Sequence, residues 1–270
     1  TSVWGRQNYL LVLPALPLLF INSCGFAWRP WALVTLLGYA GAFLLFGIWG
    51  GLVPEAVRFV SVGGGDREVA GSVAGLNILF GIRSLAYAAL AFVVLTPGVF
   101  RREWRLVFSC VAMALFGCLI FEPMRFLPSA YLVSRFLGDT LLVPVSIVCG
   151  SGFAFFGFWL FASICWNCLD LINSVPQRSF GASVGFFDRV RCIGWNEKLY
   201  LFGAAAWMLI LASNMKISHQ FSSRYVVVAA PFLLITAIFH FRATSAAHLR
   251  LICGFIVSML LLANYYQWFN

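Results

Sequence analysis

Long apolar runs separated by short polar stretches dominate the pattern of this 270-residue chain. A helix needs about 20 apolar residues to cross a bilayer, and eight segments approach that length. These segments cover residues 8–27, 31–53, 76–99, 106–121, 140–165, 199–213, 225–241 and 251–266. The runs are continuously apolar and do not alternate, which favours helices over a barrel. The pattern predicts an all-α, polytopic membrane helix bundle with seven or eight transmembrane helices, the sixth segment being the shortest.

The connections between the runs are short, and none of them has the composition of a domain linker. Residues 54–75 form a longer, semi-polar connection, and residues 101–105 form a compact basic turn. Residues 122–139 are amphipathic, so we expect an interfacial segment there. Residues 166–198 are predicted to be the largest extramembrane loop. We therefore expect residues 1–270 to form a single integral membrane domain.

The composition supports a chain that faces lipid. Hydrophobic residues make up 62% of it and charged residues only 10%, whereas soluble domains carry about a quarter charged residues. Phenylalanine alone occurs 28 times. So little polar surface could not cover the chain in water, and lipid must be the solvent for much of it.

The charge is strongly basic, at +9 from 18 Lys and Arg against 9 Asp and Glu. The basic residues lie in loops rather than along one face, so we expect contacts with anionic lipid headgroups and no nucleic-acid partner. The candidates for headgroup contacts are Arg101, Arg102, Arg105, Arg189 and Arg191. We predict no cofactor, and a bound phospholipid such as cardiolipin is the expected ligand.

The stretch YLVSRFLGDTLL, residues 131–142, places Arg135 four residues before Asp139. With Pro128 before it, the stretch resembles the arginine helix of the proton-channel subunit a of rotary ATP synthases. That resemblance implies an arginine that faces rotor carboxylates. The chain departs from the family pattern in the proline spacing and in carrying Asp139 where the family has asparagine. The alternative is local, because Asp139 can cap the following helix and Arg135 can pair with it or with a phosphate.

Two other charged residues are candidates for an intramembrane or interfacial site. Arg83 stands in LNILFGIRSLAYAAL, about two turns into the third apolar segment, and Glu122 follows the fourth segment. An arginine at membrane depth costs several kcal/mol unless it snorkels or finds a partner, so it marks a functional hypothesis. Snorkelling towards the connection at 54–75 is the structural alternative.

Cys165-Trp-Asn-Cys168 has the spacing of a redox motif or of half a metal site. No second C-x-x-C follows, and His219, His240 and His248 are scattered, so we predict neither a metal site nor a haem site. The remaining cysteines lie mostly in apolar runs, where a thiol behaves as a small hydrophobe.

Two weaker motifs complete the inventory. Residues 63–68, GGGDRE, are glycine-rich but lack the lysine of a phosphate-binding loop, which favours a flexible turn. Gly181-Ala-Ser183 with His248 resembles the serine–histidine dyad of rhomboid proteases. Ser183, however, falls in the polar 166–198 loop, and His248 is not followed by the glycines of that family.

Three functional classes follow. The favoured one is a non-catalytic integral membrane subunit of a larger membrane protein complex, with a structural and lipid-binding role and with the mitochondrial inner membrane as its expected location. The expected partners are membrane lipids and other membrane subunits. The alternatives are a transporter or proton-channel subunit that uses Arg135, and a membrane thiol oxidoreductase that uses Cys165 and Cys168. We expect that the chain is not an enzyme.

Overall fold

Helices account for most of the chain that the computed structural model describes, namely residues 8–22, 25–49, 59–62, 65–68, 78–120, 139–174, 186–216, 224–241, 246–254 and 256. The α-helices are α1 (Pro17–Phe20), α2 (Trp28–Trp49), α3 (Ile78–Leu95), α4 (Trp104–Ile120), α5 (Asp139–Asn173), α6 (Phe186–Cys192), α7 (Trp195–Ser213), α8 (Arg224–Val227) and α9 (Ala230–His240). Residues 247–254 are also helical. Three 3₁₀ helices cover Asn8–Ala15, Pro97–Val99 and Asn214–Lys216. The all-α class is thus confirmed as a predominantly helical structure.

Five of the predicted apolar segments correspond to helices of at least 17 residues, which are α2 to α5 and α7. The longest is α5, with 35 residues. By length and apolarity, the stretches Ile78–Leu95 and Gly150–Asn173 could each cross a membrane, which is weak support for membrane insertion. The count of seven or eight spans therefore remains a prediction.

The first predicted segment, residues 8–27, is not a single helix. A 3₁₀ helix over Asn8–Ala15 is followed by the single turn of α1 and then by a small hairpin, β1 (Ile21–Asn22) with β2 (Gly25–Phe26). Pro14 and Pro17 explain the break, because a proline lacks the backbone N–H that a continuous α-helix needs. Gly25 has a φ of 131°, a backbone conformation that side chains with a Cβ rarely adopt.

The connection predicted over 54–75 contains a second antiparallel hairpin. Strands β3 (Phe59–Val62) and β4 (Gly65–Glu68) pair with Phe59 opposite Glu68 and Val62 opposite Gly65. The flexible charged turn expected over 63–68 is therefore wrong for Gly65–Glu68, which are in a strand. Residues 63 and 64 lie outside the described chain. The β-branched and aromatic residues of FVSV favour extended backbone. Pairing with this strand explains why Gly65–Glu68 are extended rather than in a turn.

The chain divides into two compact units, each built from two separate stretches. The first unit comprises Thr1–Gly81 and Cys168–Thr236, and the second comprises Ile82–Asn167 and Ala237–Asn270. The boundaries between the units fall inside the apolar helices α3, α5 and α9. No polar or flexible linker marks them in the sequence, which for that reason indicates a single domain.

Helix α7 is the centre of the first unit. Its buried side chains include Trp207 and Tyr200, among the largest fully buried residues in the described chain. Its beginning packs into a cluster in which Leu201 contacts Ile21, Val190 and Ile193 among others. At Gly203 a Cβ would lie 2.8 Å from Cγ2 of Ile235, so α9 passes close to the α7 backbone.

A close approach between α3 and α5 organises the second unit. A Cβ at Gly157 of α5 would lie 2.9 Å from the Ala86 nitrogen and 3.1 Å from the Leu85 carbonyl carbon. These are backbone atoms, so neither can rotate away. Ala86 and Ala154 are fully buried at this crossing. Small residues that allow two helix backbones to meet are the usual packing device of membrane helices.

This contact predicts that Gly157→Ala destabilises the protein, by roughly 1–3 kcal/mol, because the added methyl group forces α3 and α5 apart. Gly152→Ala in the same helix is the matched control, since a Cβ there would meet nothing within 4 Å. The melting temperature of the protein in mild detergent measures both. Equal melting temperatures for the two variants would contradict the tight crossing.

Candidate functional site

The side chains of α4 are sorted by size rather than by polarity. Its buried positions, spaced four and three residues apart, are Cys110, Ala114 and Gly117. Most of its exposed positions are large and apolar, namely Trp104, Phe108, Val111, Met113, Leu115 and Phe116, and the other exposed residues are Arg105, Ser109 and Ala112. A helix on the surface of a soluble domain shows the opposite pattern, with polar residues outward. The arrangement suits a helix that faces an apolar solvent and packs through Cys110 and Ala114, since a Cβ at Gly117 would meet nothing within 4 Å.

Helix α2 presents apolar residues on several sides. It has 22 residues, long enough for about 33 Å. Its exposed large side chains include Leu33, Leu36, Leu37, Phe43, Leu44 and Ile48, which are 58–71% exposed. Consecutive residues such as Leu36 and Leu37 point about 100° apart on a helix, so the exposed surface covers more than one face.

A polar network holds the junction between α3 and α4 against α5. The Nε of Arg101 donates to Oδ1 of Asn167 at 2.7 Å, and Nδ2 of Asn167 donates to the Val99 carbonyl at 3.2 Å. The Arg101 backbone N–H donates to Oγ of Ser163 at 3.1 Å, and the indole N–H of Trp159 donates to the Arg101 carbonyl at 2.7 Å. The network thus supplies partners to backbone groups where the chain leaves a helix.

The predicted headgroup arginines therefore divide into different roles. Arg101 bonds within the protein: besides Asn167, it contacts Glu103 at 3.4 Å and lies 5.9 Å from the Trp166 ring centroid. Arg102 and Arg105 are exposed, and the Arg105 guanidinium lies over the Trp104 ring at 5.5 Å.

Arg189 and Arg191 lie in α6, and each is partly engaged. Arg189 donates to Oδ1 of Asn173 at 2.6 Å, and Arg191 pairs with Asp188 one turn away at 3.1 Å. Both contacts are exposed, and exposed pairs contribute little to stability. These two arginines therefore remain available to lipid phosphates.

Lys198 is a functional group that the sequence analysis missed. It is 6% exposed, and its Nζ donates to the Ile21 carbonyl at 2.7 Å and to the Arg191 carbonyl at 3.4 Å. The lysine thus ties α7 to the first hairpin and to the end of α6. The sequence offered one indication of this role: Lys198 directly precedes the predicted span 199–213, and the chain has few lysines.

Arg83 lies in α3 with its side chain partly buried, and it interacts electrostatically with Tyr87 one turn further along. Its Nε atom is inaccessible to solvent. The structure thus places the arginine within an apolar helix, as expected. The other predicted intramembrane charges, namely Glu122, Arg135 and the side chain of Asp139, lie outside the described part of the chain.

Cys165 and Cys168 lie near the C-terminal end of α5, and no disulfide joins them. Both are partly exposed. Reactive thiolates are favoured at helix N-termini or beside basic groups, and a continuous helix near its C-terminus lacks the first of these features. The local backbone therefore does not favour the redox hypothesis.

Several predicted site residues cannot be placed. Glu122 and Arg135 lie outside the described residues, as do Gly181 and Ser183. Asp139 is the first residue of α5, which agrees with a helix beginning there, but its side chain is not described. His248 is exposed.

Within the described part of the chain, no group of three or more His, Cys, Asp or Glu side chains is arranged to hold a metal ion. Comparison with protein-family models, curated proteins and solved structures found no match. Any functional assignment must therefore come from the geometry of the chain itself.

The Arg101 network predicts that Asn167→Leu is destabilising, by about 2 kcal/mol, because the Val99 carbonyl and the Arg101 Nε each lose a partner in a partly buried site. Asn173→Leu is the matched control on the same helix, since Asn173 accepts an exposed hydrogen bond. Thermal unfolding in detergent measures both. A structural role for the network is contradicted if Asn167→Leu melts like the control.

Proposed function

We propose that the chain is a non-catalytic integral membrane subunit of a larger membrane protein complex, with a structural and lipid-binding role. The observation that carries the proposal is the sorting of α4, with Cys110, Ala114 and Gly117 inside and large apolar side chains outside. Exposed in water, such a surface would aggregate, whereas in a bilayer it meets lipid tails of its own polarity.

The distribution of carboxylates supports a structural role over ion transport. Helices α2, α3, α4 and α9 contain no Asp or Glu, and the carboxylates of α5, Asp139 and Asp170, stand near its ends. Proton and ion relays through membranes use carboxylates or histidines within the spans. These four helices contain no carboxylate, and their one histidine, His240, is the last residue of α9, so the chain is better suited to holding its neighbours than to conducting ions.

The exposed surface of α2 supports a partner. A transmembrane helix is held by packing against other helices, and much of the circumference of α2 remains uncovered by its own chain. A neighbouring subunit is the partner that would complete its packing.

The excess of arginine supports an anionic membrane. We propose the mitochondrial inner membrane as the location, where cardiolipin would meet the exposed Arg102 and Arg191 and the partly exposed Arg189.

Membrane embedding predicts that Leu115→Lys impairs insertion, because Leu115 is 53% exposed in the middle of α4. A lysine at the centre of a membrane helix costs about 3 kcal/mol on insertion scales. The fraction resistant to alkaline extraction of membranes is the measurement, with Leu115→Ala as the control. On a water-exposed helix, the lysine would be harmless and both variants would extract alike.

Membership of a complex is tested by purification in mild detergent, followed by native mass measurement and identification of co-migrating chains. We expect constant ratios to other membrane proteins and no ion flux after reconstitution in liposomes. A protein that runs alone as a monomer contradicts the assignment, and so does a flux that Arg135→Ala abolishes.

A further inference from the structure

A groove of about 450 Å³ runs along α2. One wall is the ridge of Trp31, Thr35, Tyr39 and Phe43, which follow one another at intervals of four residues. The other wall is the neighbouring ridge from Ala32 to Ala40. Side chains four residues apart form continuous ridges on a helix, so two adjacent ridges enclose a channel nearly parallel to the axis.

Two polar atoms of the lining residues lie beneath the groove surface. Nε1 of Trp31 and Oγ1 of Thr35 are inaccessible to solvent and have no hydrogen-bond partner among the described residues, so they are covered rather than presented to a ligand in the groove. Beyond Thr35 the lining is apolar, apart from the Tyr39 hydroxyl.

The guanidinium of Arg29 lies near the start of the groove. Trp28 precedes Ala32 on the same ridge, and the guanidinium of Arg29 lies over the Trp28 ring at 5.6 Å. Arg29 is exposed. The aromatic ring therefore holds the cation beside the first turn of α2.

Polarity thus changes in a fixed order along the helix. Measured along the axis from Arg29, Trp31 lies at about 3 Å, Thr35 at about 9 Å and Phe43 at about 21 Å. The order is charge and then mainly apolar surface. An anionic glycerophospholipid has the same order of phosphate and acyl chain.

We propose that this groove, the α2 groove, binds one anionic phospholipid. The phosphate pairs with the exposed Arg29, and one acyl chain lies between the ridges as far as Phe43. The inference rests on the proposed membrane location. It adds a defined site and a preference for negative headgroups.

The test is native mass spectrometry of the full chain, purified in detergent and titrated with phosphatidylglycerol or with phosphatidylcholine of the same acyl chains. The wild type should retain one phosphatidylglycerol in preference to phosphatidylcholine. Arg29→Gln should bind phosphatidylglycerol roughly fivefold to tenfold more weakly and lose the preference, since one charge-assisted contact disappears. Arg250→Gln, which removes a partly exposed arginine elsewhere, is the control and should bind like the wild type.

A second variant tests the acyl channel independently of charge. Ala40→Trp fills the groove at an exposed position, so folding should be preserved while both lipids are lost. Wild-type binding by Arg29→Gln and Ala40→Trp would overturn the proposal, as would a polypeptide in place of the lipid. Alkaline extraction of membranes distinguishes failure of the lipid site from failure of the proposed function. If the extraction releases the chain from membranes, the proposed function is wrong. If the chain stays in the membrane but binds no phosphatidylglycerol, only the lipid site is wrong.

Discussion

The second unit depends on one constraint, which is that α3 and α5 meet through small residues while α4 leaves its large apolar side chains outside. Gly157 brings the backbone of α5 against that of α3, and α4 buries Cys110, Ala114 and Gly117. In water, burying large side chains drives folding, so an arrangement that buries alanine and exposes leucine and phenylalanine would gain little. In lipid the exposed side chains lose nothing, and close backbone contact supplies the attraction.

The proposed lipid surroundings also account for the hydrogen bonds at the ends of the helices. Lipid offers no hydrogen bonds, so the places where the chain leaves a helix need partners from within the protein. Asn167, Ser163 and Trp159 supply them around Arg101, and Lys198 supplies one to the Ile21 carbonyl. On this account these side chains hold the helix ends in place, and reactive chemistry is not needed to explain them.

Sequence reasoning located α2, α3 and α4 to within a few residues because an uninterrupted apolar run is a local signal. It failed over 8–27, where hydropathy treats Pro14 and Pro17 as ordinary apolar residues although they interrupt the helix. It assigned Arg101 to lipid headgroups because its partners Ser163 and Asn167 lie 62 and 66 positions away. Lys198 and Ile21 are separated by 177 positions, a contact that no spacing rule could reveal.

The central claim is that the large apolar side chains of α4 face lipid. The most direct measurement is photolabelling of native membranes with an apolar carbene reagent confined to the bilayer, followed by mass spectrometric mapping. The account predicts label on Phe108, Met113 and Leu115 and none on Cys110 or Ala114. An α4 that escapes the apolar reagent but reacts with a water-soluble one would contradict it.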